Sequence, residues 1–200
     1  MPDRDLRTIG IIGAGATGAA VAIYALFGGY RVILEDISAE RLAEAKAHVN
    51  AALDGAVMGH QSDSPDGREM RASFFVTDSM DDVSRAADLL IEAAPDDAEM
   101  QLEIFTLFDK FAKPRAIFST TARSVSIADL AEMTNCPERC VGLQFPDAGS
   151  SDRSLRIIAA PKTAERTLET CAAFARALGF AAVIVSEAAP DVAVREGRKP

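Results

Sequence analysis

Basic residues are scarce in this 200-residue chain: Lys and Arg total 21 against 30 Asp and Glu, a formal net charge of −9. No basic cluster offsets that balance. Nucleic acid and anionic membrane surfaces both require a basic face, so neither is expected as the main partner. Cysteine is scarce too. Cys136, Cys140 and Cys171 make an odd set without paired spacings, and neither His48 nor His60 lies close to them in sequence. This argues against a disulfide framework or a metal site and fits reduced thiols in the cytoplasm. The start, Asp3-Arg4-Asp5-Leu6-Arg7, lacks the basic character of a secretory leader. There is no internal repeat and no low-complexity tract. A tyrosine followed four positions on by lysine, the pair a short-chain dehydrogenase needs, is missing as well, since Tyr24 is followed by Gly28 and Tyr30 by Leu34.

One stretch, Thr8 to Tyr30, has no charged residue and is long enough to span a bilayer. Its glycines decide against that. Gly13-Ala14-Gly15-Ala16-Thr17-Gly18 follows the apolar run Thr8-Ile9-Gly10-Ile11-Ile12 and precedes a helical pattern, Thr17 to Phe27. This is a dinucleotide-binding fingerprint in its required context. Gly13 permits the tight turn, Gly15 lets the backbone approach a pyrophosphate, and Gly18 lets the helix pack on its strand. The phosphates would sit on the helix N-terminus, where open N–H groups and the positive dipole end favour an anion. Strand-like Arg31-Val32-Ile33-Leu34-Glu35-Asp36 then ends 18 positions beyond Gly18 in the acid expected to bind the adenosine ribose, Asp36.

The remaining chain alternates. Ser38 opens a helix from Ala39 to Leu53 with Leu42, Ala45, Val49 and Leu53 inward. Residues 54–73 hold too many turn formers for a regular element and are read as a flexible excursion carrying His60, while His48 reads as a solvated surface residue. Phe74–Thr77 and Asp88–Ala94 read as strands with a short helix between. Asp97 to Lys113 is a helix with Ile104, Phe108 and Phe111 on one face, and Ala116–Ser119 the strand after it. Ser126 and Asp129 form a capping box for a short helix through Glu132. Arg139–Phe145 and Leu155–Ala159 are further strands, Thr163 to Leu178 the last helix, and Ala182–Val185 the last strand. The expectation is one α/β domain over residues 1–186, a doubly wound Rossmann-type, mostly parallel sheet flanked by helices, with 187–200 as a frayed tail.

Ile11 to Gly18, Leu34-Glu35-Asp36-Ile37-Ser38, Ile91-Glu92-Ala93-Ala94 and Gly142-Leu143-Gln144-Phe145 together resemble the NAD-binding domain of the 3-hydroxyacyl-CoA dehydrogenases. The resemblance runs from about Thr8 to about Val194. It implies an NAD-dependent oxidoreductase ancestry in fatty acid metabolism, with Gly13, Gly15, Ala16, Thr17, Gly18, Asp36, Ala93 and Asp96 as the cofactor-binding set. Asp36 also favours NAD on physical grounds, because a carboxylate there repels a 2′-phosphate.

The departures from the family pattern concern the chemistry. The histidine that the resemblance implies as general base falls on Gln144, a carboxamide that can hydrogen-bond an oxygen but cannot take its proton. The glutamate orienting that histidine falls on Arg156, which cannot accept. The substrate-binding serine falls on Arg123, an asparagine on Asp147, and a lysine near the cofactor on Gln101. Asp147 is the one carboxylate kept as a candidate base, provided it is buried. The chain also stops where the family begins its helical C-terminal domain, which implies a homodimer or a partner chain supplying that part and an apolar edge near Phe180 to Val185. The charged tail Arg195-Glu196-Gly197-Arg198-Lys199-Pro200 does not resemble the start of the family's next helix, which favours a natural end. Two readings follow: an oxidoreductase with altered substrate, or a non-catalytic NAD(H)-sensing or partner-binding module. If the family geometry holds, Arg123, Gln144 and Arg156 converge on a small anionic ligand, unless Asp147 or Asp152 neutralises the arginines.

Overall fold

The computed structural model describes residues 6–58, 67–147 and 150–187. Eight strands form one sheet in the order β3-β2-β1-β4-β5-β6-β7-β8. They are β1 (Thr8–Ile12), β2 (Arg31–Glu35), β3 (Phe74–Thr77), β4 (Leu89–Glu92), β5 (Ile117–Thr120), β6 (Cys140–Gln144), β7 (Ser154–Ala159) and β8 (Ala181–Ser186). The first six run parallel; β7 is antiparallel to β6, and β8 parallel to β7. Between β1 and β4 the winding reverses direction. That switch opens a crevice at the carboxyl ends of the strands, where such sheets bind ligands.

Strand periodicity explains the two helical layers. Ile9 and Ile11 of β1 and Leu89 and Ile91 of β4 face one side, packed with α1 (Ala16–Phe27), α2 (Ala39–Met58) and α7 (Glu165–Ala177). Ile12, Ile33, Leu90 and Phe118 face the other, under α4 (Met80–Ala86), α5 (Ala98–Phe111) and α6 (Ile127–Glu132). Both faces are covered, so β4 and β5 are buried at every residue, their apolar residues followed by the buried polar Glu92, Ser119 and Thr120. Phe105, Phe108 and Phe118 form an aromatic cluster in the second layer, with ring centroids 5.5–6.4 Å apart. Each fully buried side chain of this size contributes about 1.5–3 kcal/mol over leaving it exposed. Among the described residues, no helix is long and apolar enough to cross a membrane.

The expected inward residues Leu42, Ala45, Val49 and Leu53 are all buried. Helix α2 nevertheless runs five residues past the expected end, to Met58, and α3 (Gly67–Ala72) forms inside the stretch read as irregular. Tertiary contacts override the turn formers there: Met70 is buried in the first-layer core, and Arg71 forms an ion pair with Asp54 of α2. His48 is exposed on α2, as expected, while His60 lies outside the described residues.

The tail expected to fray from Glu187 onward is anchored at its first residue. The carboxylate of Glu187 accepts the backbone N–H groups of Ile127 (2.6 Å) and Ala128 (3.1 Å), and its own N–H donates to Ala159 O at 2.8 Å. It therefore caps α6 together with Ser126 and is not frayed. Residues 188–200 lie outside the described residues. Glu187→Ala is expected to cost about 1 kcal/mol, lowering the melting temperature by about 2–4 °C for a chain of this size; calorimetry that shows no change would mean Ser126 caps α6 alone.

Candidate functional site

The three fingerprint glycines answer to different constraints. Gly13 has φ +103°, and a Cβ there would lie 2.6 Å from Ala93 O. Its N–H donates to Glu35 O at 2.8 Å, tying the end of β1 to β2, while Ala93 N–H donates to Ile12 O at 2.8 Å, tying it to β4. A Cβ on Gly18 would lie 1.9 Å from Gly13 O, so α1 can reach its strand only with glycine there. Gly15 is different. Its φ is −71°, and a Cβ would meet nothing within 4 Å. Neither conformation nor packing asks for glycine, and the exposed segment Gly15-Ala16-Thr17 leaves an open cradle.

Gly15 is also the N-cap of α1, without a side-chain cap and with no acid in the first turn. The helix start thus offers its N–H groups and dipole to an anion from outside. Asp36 stands beside it, buried. One carboxylate oxygen accepts Ala14 N–H and the other Ser38 N–H, both at 2.9 Å, so the group is fixed by backbone and retains lone pairs for hydroxyl donors. Arg41 approaches it at 3.8 Å. Next along the chain, Ile37 is 89% exposed, a large apolar side chain standing free at the rim.

A buried acid that the sequence reading did not single out lies under this rim. Glu35, only 3% exposed, has its carboxyl pushed up to about 7 by burial first and by Asp36 and Asp78 after it. Glu92, fully buried at the end of β4, accepts Thr120 Oγ1–H at 2.5 Å and Ala94 N–H at 2.7 Å, and Thr120 Oγ1 in turn accepts Ala122 N–H at 2.9 Å. Burial raises the Glu92 carboxyl as well. This braid holds the two loops that follow β4 and β5, and Asp96, exposed on the first, accepts the hydroxyl of Ser124 on the second. Gln101 is fully buried, its Nε2 3.4 Å from Pro95 O and its Oε1 without a donor among the described residues. The signal for this scaffold was the polar residue closing each apolar strand, Glu35, Glu92 and Thr120. Its hydrogen bonds depend on strand register, which no local pattern reveals.

The four positions where the chemistry was expected do come together. Arg123, Gln144, Asp147 and Arg156 line one cavity of about 180 Å³ with Phe145, Asp152 and Ser154. Gln144 at the end of β6 is registered directly opposite Arg156 on β7. Tyr24 of α1 stacks on Phe145 at 6.2 Å and meets Phe180 edge-on at 4.9 Å, which holds this strand end beside the fingerprint helix. The charge is more balanced than a pair of open arginines: Arg123 Nη2 lies 3.5 Å from Asp147 Oδ1. Both groups are exposed, so Asp147 lacks the burial its candidate role as a base required. Asp152 accepts Ser154 N–H and Oγ–H. Cys136, Cys140 and Cys171 are buried away from this cavity, with burial pushing the last two thiols up to about 12.

The family model described as "3-hydroxyacyl-CoA dehydrogenase, NAD binding domain" matches residues 8–188. The chain is 31% identical over 185 residues to a 3-hydroxybutyryl-CoA dehydrogenase of Bradyrhizobium diazoefficiens, covering 92% of this chain and 62% of that one. It is 26% identical over 188 residues to the 5-formyl-3-hydroxy-2-methylpyridine 4-carboxylate 5-dehydrogenase of Mesorhizobium japonicum, covering 92% and 59%. The crystal structure of the 3-hydroxybutyryl-CoA dehydrogenase of Escherichia coli superposes with a TM-score of 0.84 at 26% identity, over 90% of this chain and 38% of that one. The chain thus spans about three fifths of the length of the curated relatives it matches most extensively.

The buried acids give the domain a signed pH dependence. An unfolded Glu35 loses its proton near 4.5, the folded one near about 7. Between those values the unfolded chain holds fewer protons, so stability falls as pH rises and levels off above about 7. One such proton contributes at most about 1.4 kcal/mol per pH unit. Glu35→Gln is expected to melt above the parent at pH values beyond 7 and close to it near 4.5. Parallel melting curves of the two proteins across this range would show that the carboxyl is not held protonated.

Proposed function

This chain belongs to the 3-hydroxyacyl-CoA dehydrogenase NAD-binding family, and from that premise we propose that it binds NAD(H) on the Gly13–Gly18 loop while the family's dehydrogenase chemistry is altered or lost. The observation that carries the binding half is Gly15. A glycine with an ordinary φ and 4 Å of open space around its missing Cβ has no use within the fold. It has one when a pyrophosphate rests on the backbone there. The N–H groups of Gly15, Ala16 and Thr17 would hold the phosphates, Asp36 the adenosine ribose, and Ile37 would cover the apolar face of the base. Ala93 and Asp96, at the start of the loop after β4, would border the rest of the cofactor. When bound, NAD supplies a hydride acceptor, and its reduced form a hydride donor.

The altered half rests on Gln144. At the position where the family resemblance implies a base, the carboxamide can donate or accept a hydrogen bond but cannot hold a proton taken from a hydroxyl. Arg156 opposite it is a permanent cation and cannot act as the acceptor that orients a base. Arg156 with Gln144 instead suits a small anionic ligand such as a carboxylate, with Arg123 shared between that ligand and Asp147. The Mesorhizobium relative is named for a pyridine carboxylate, which gives such a ligand a precedent.

A second reading, a non-catalytic NAD(H)-sensing module, is favoured by the same Gln144 and by the exposed apolar side chains Val183 and Ile184 of the edge strand β8. There a second copy or a partner chain would supply what the longer relatives carry in the rest of their length. A cytoplasmic setting in fatty acid metabolism accords with either reading.

Calorimetric titration with NADH is the direct test. The parent is expected to bind at micromolar or tighter Kd. Gly15→Val should keep the parent's melting temperature and lose at least about tenfold in affinity, since the side chain fills only the cradle, and Asp36→Ala should also weaken binding. Absence of binding by the parent removes both readings. For the second cavity, Arg156→Ala is expected to abolish binding of small dicarboxylates in the presence of NADH, with a smaller loss in Arg123→Ala. Unchanged dicarboxylate affinity in both variants removes the anion assignment and leaves NADH binding untouched.

A further inference from the structure

A further cavity lies at the other edge of the sheet, where the parallel strands begin, and has a volume of about 440 Å³. That is within the range of small-molecule sites. Its polar wall consists of Asp88 before β4, Lys113 and Arg115 before β5, Glu138 and Arg139 before β6, and Arg166 in the first turn of α7. Four cations face two acids, in a chain whose net charge is −9. A local positive surplus inside a strongly acidic protein opposes the general charge, and it needs a local reason.

The two acids are occupied. Asp88 accepts the backbone N–H groups of Arg7 and Thr8, both at 2.9 Å, and the Lys113 ammonium at 2.6 Å, which together hold its carboxyl below the usual carboxylate range despite burial. Lys113 keeps two further N–H donors. The Glu138 carboxylate meets Arg139 at 3.4 Å, while its backbone carbonyl accepts Ala164 N–H and Thr167 Oγ1–H and so ties the start of α7 to this corner. No carboxylate among the described residues lies within ion-pair distance of Arg115. Arg139 is the built element: only 23% exposed, it donates to Ala116 O at 2.8 Å, and its guanidinium sits 5.6 Å from the Phe118 ring centroid. Its ordering entropy is spent in folding, so a ligand meeting its remaining donors loses less.

We propose that this cavity is a second ligand site, for a small molecule bearing a phosphate dianion, separate from the cofactor edge. A phosphate monoester carries about −1.5 to −2 at neutral pH, opposite in sign to Lys113, Arg115 and Arg139 of the wall. Its three oxygens can accept from the forked guanidiniums of Arg115 and Arg139 and from the Lys113 ammonium at once. A ligand there would touch the connection before β5, the turn before β6 and the start of α7, segments that Arg139 and the Glu138 carbonyl already hold together.

The test uses the whole chain with inorganic phosphate as the probe, followed by calorimetry at low ionic strength. Saturable binding is expected in the parent and in the Gly15→Val and Arg156→Ala variants, which lie at the cofactor edge. Arg115→Ala, an exposed substitution that removes no described packing, should weaken it at least about tenfold. Arg139→Gln should do the same, and Arg115→Ala decides the matter if Arg139→Gln fails to fold. Absence of saturable binding in the parent overturns the proposal. Binding kept in Arg115→Ala but lost in Gly15→Val or Arg156→Ala overturns it too, because the phosphate then sits at the other edge.

Discussion

Four elements meet at the turn of Gly13, and the rest of the domain is arranged around that meeting. The peptide N–H of Gly13 goes to β2, its Cα lies against the carbonyl of Ala93 at the end of β4, and its own carbonyl touches Gly18 of α1. With φ at +103° and no room for a Cβ, this one residue sets how closely the helix can approach the sheet at the point where the winding reverses. Close approach packs α1 on its strand and leaves its start, Gly15 to Thr17, exposed and without a side-chain cap. Such a start suits an anion through backbone geometry, with no cationic side chain required.

Polar residues at the strand ends preserve that geometry at an electrostatic cost. Glu35, Asp36 and Glu92 are each buried at the ends of β2 and β4. Asp36 and Glu92 are satisfied by backbone N–H groups and, for Glu92, by the Thr120 hydroxyl. Glu35 is held by burial with two acids near it, which is why its carboxyl keeps its proton to about 7. The loops after β4 and β5 are thus anchored from below, and the cofactor-facing atoms above need not support themselves.

The two edges of the sheet carry opposite electrostatic characters. The carboxyl edge relies on helix and loop backbone and on acids suited to ribose hydroxyls, with Arg123 and Asp147 paired at its side. The opposite edge gathers cations around a wider cavity, with its acids already occupied. The parallel strands β1 to β6 make this separation natural, because the connections before them gather at one edge and those after them at the other, while antiparallel β7 carries the start of α7 back to the first edge.

The fingerprint, its flanking strand and helix, the acid at Asp36, the alternation of elements and even the inward face of α2 were legible locally. Each follows from a short-range constraint: a glycine turn, a period of 2 or 3.6, or a capping side chain. What stayed hidden depends on residues far apart in the chain. Glu187 caps α6 across 60 positions, α3 forms because Met70 finds the core, and Arg123 meets Asp147 only once β5 and β6 lie side by side. Sequence alone determined the family, the glycine fingerprint and the carboxamide at position 144, because these are matters of residue identity and spacing. Only the tertiary structure decided that Gly15 is free of every packing demand, that Glu35 is buried among acids, and that four cations share one cavity, because burial and charge surroundings belong to the packed chain.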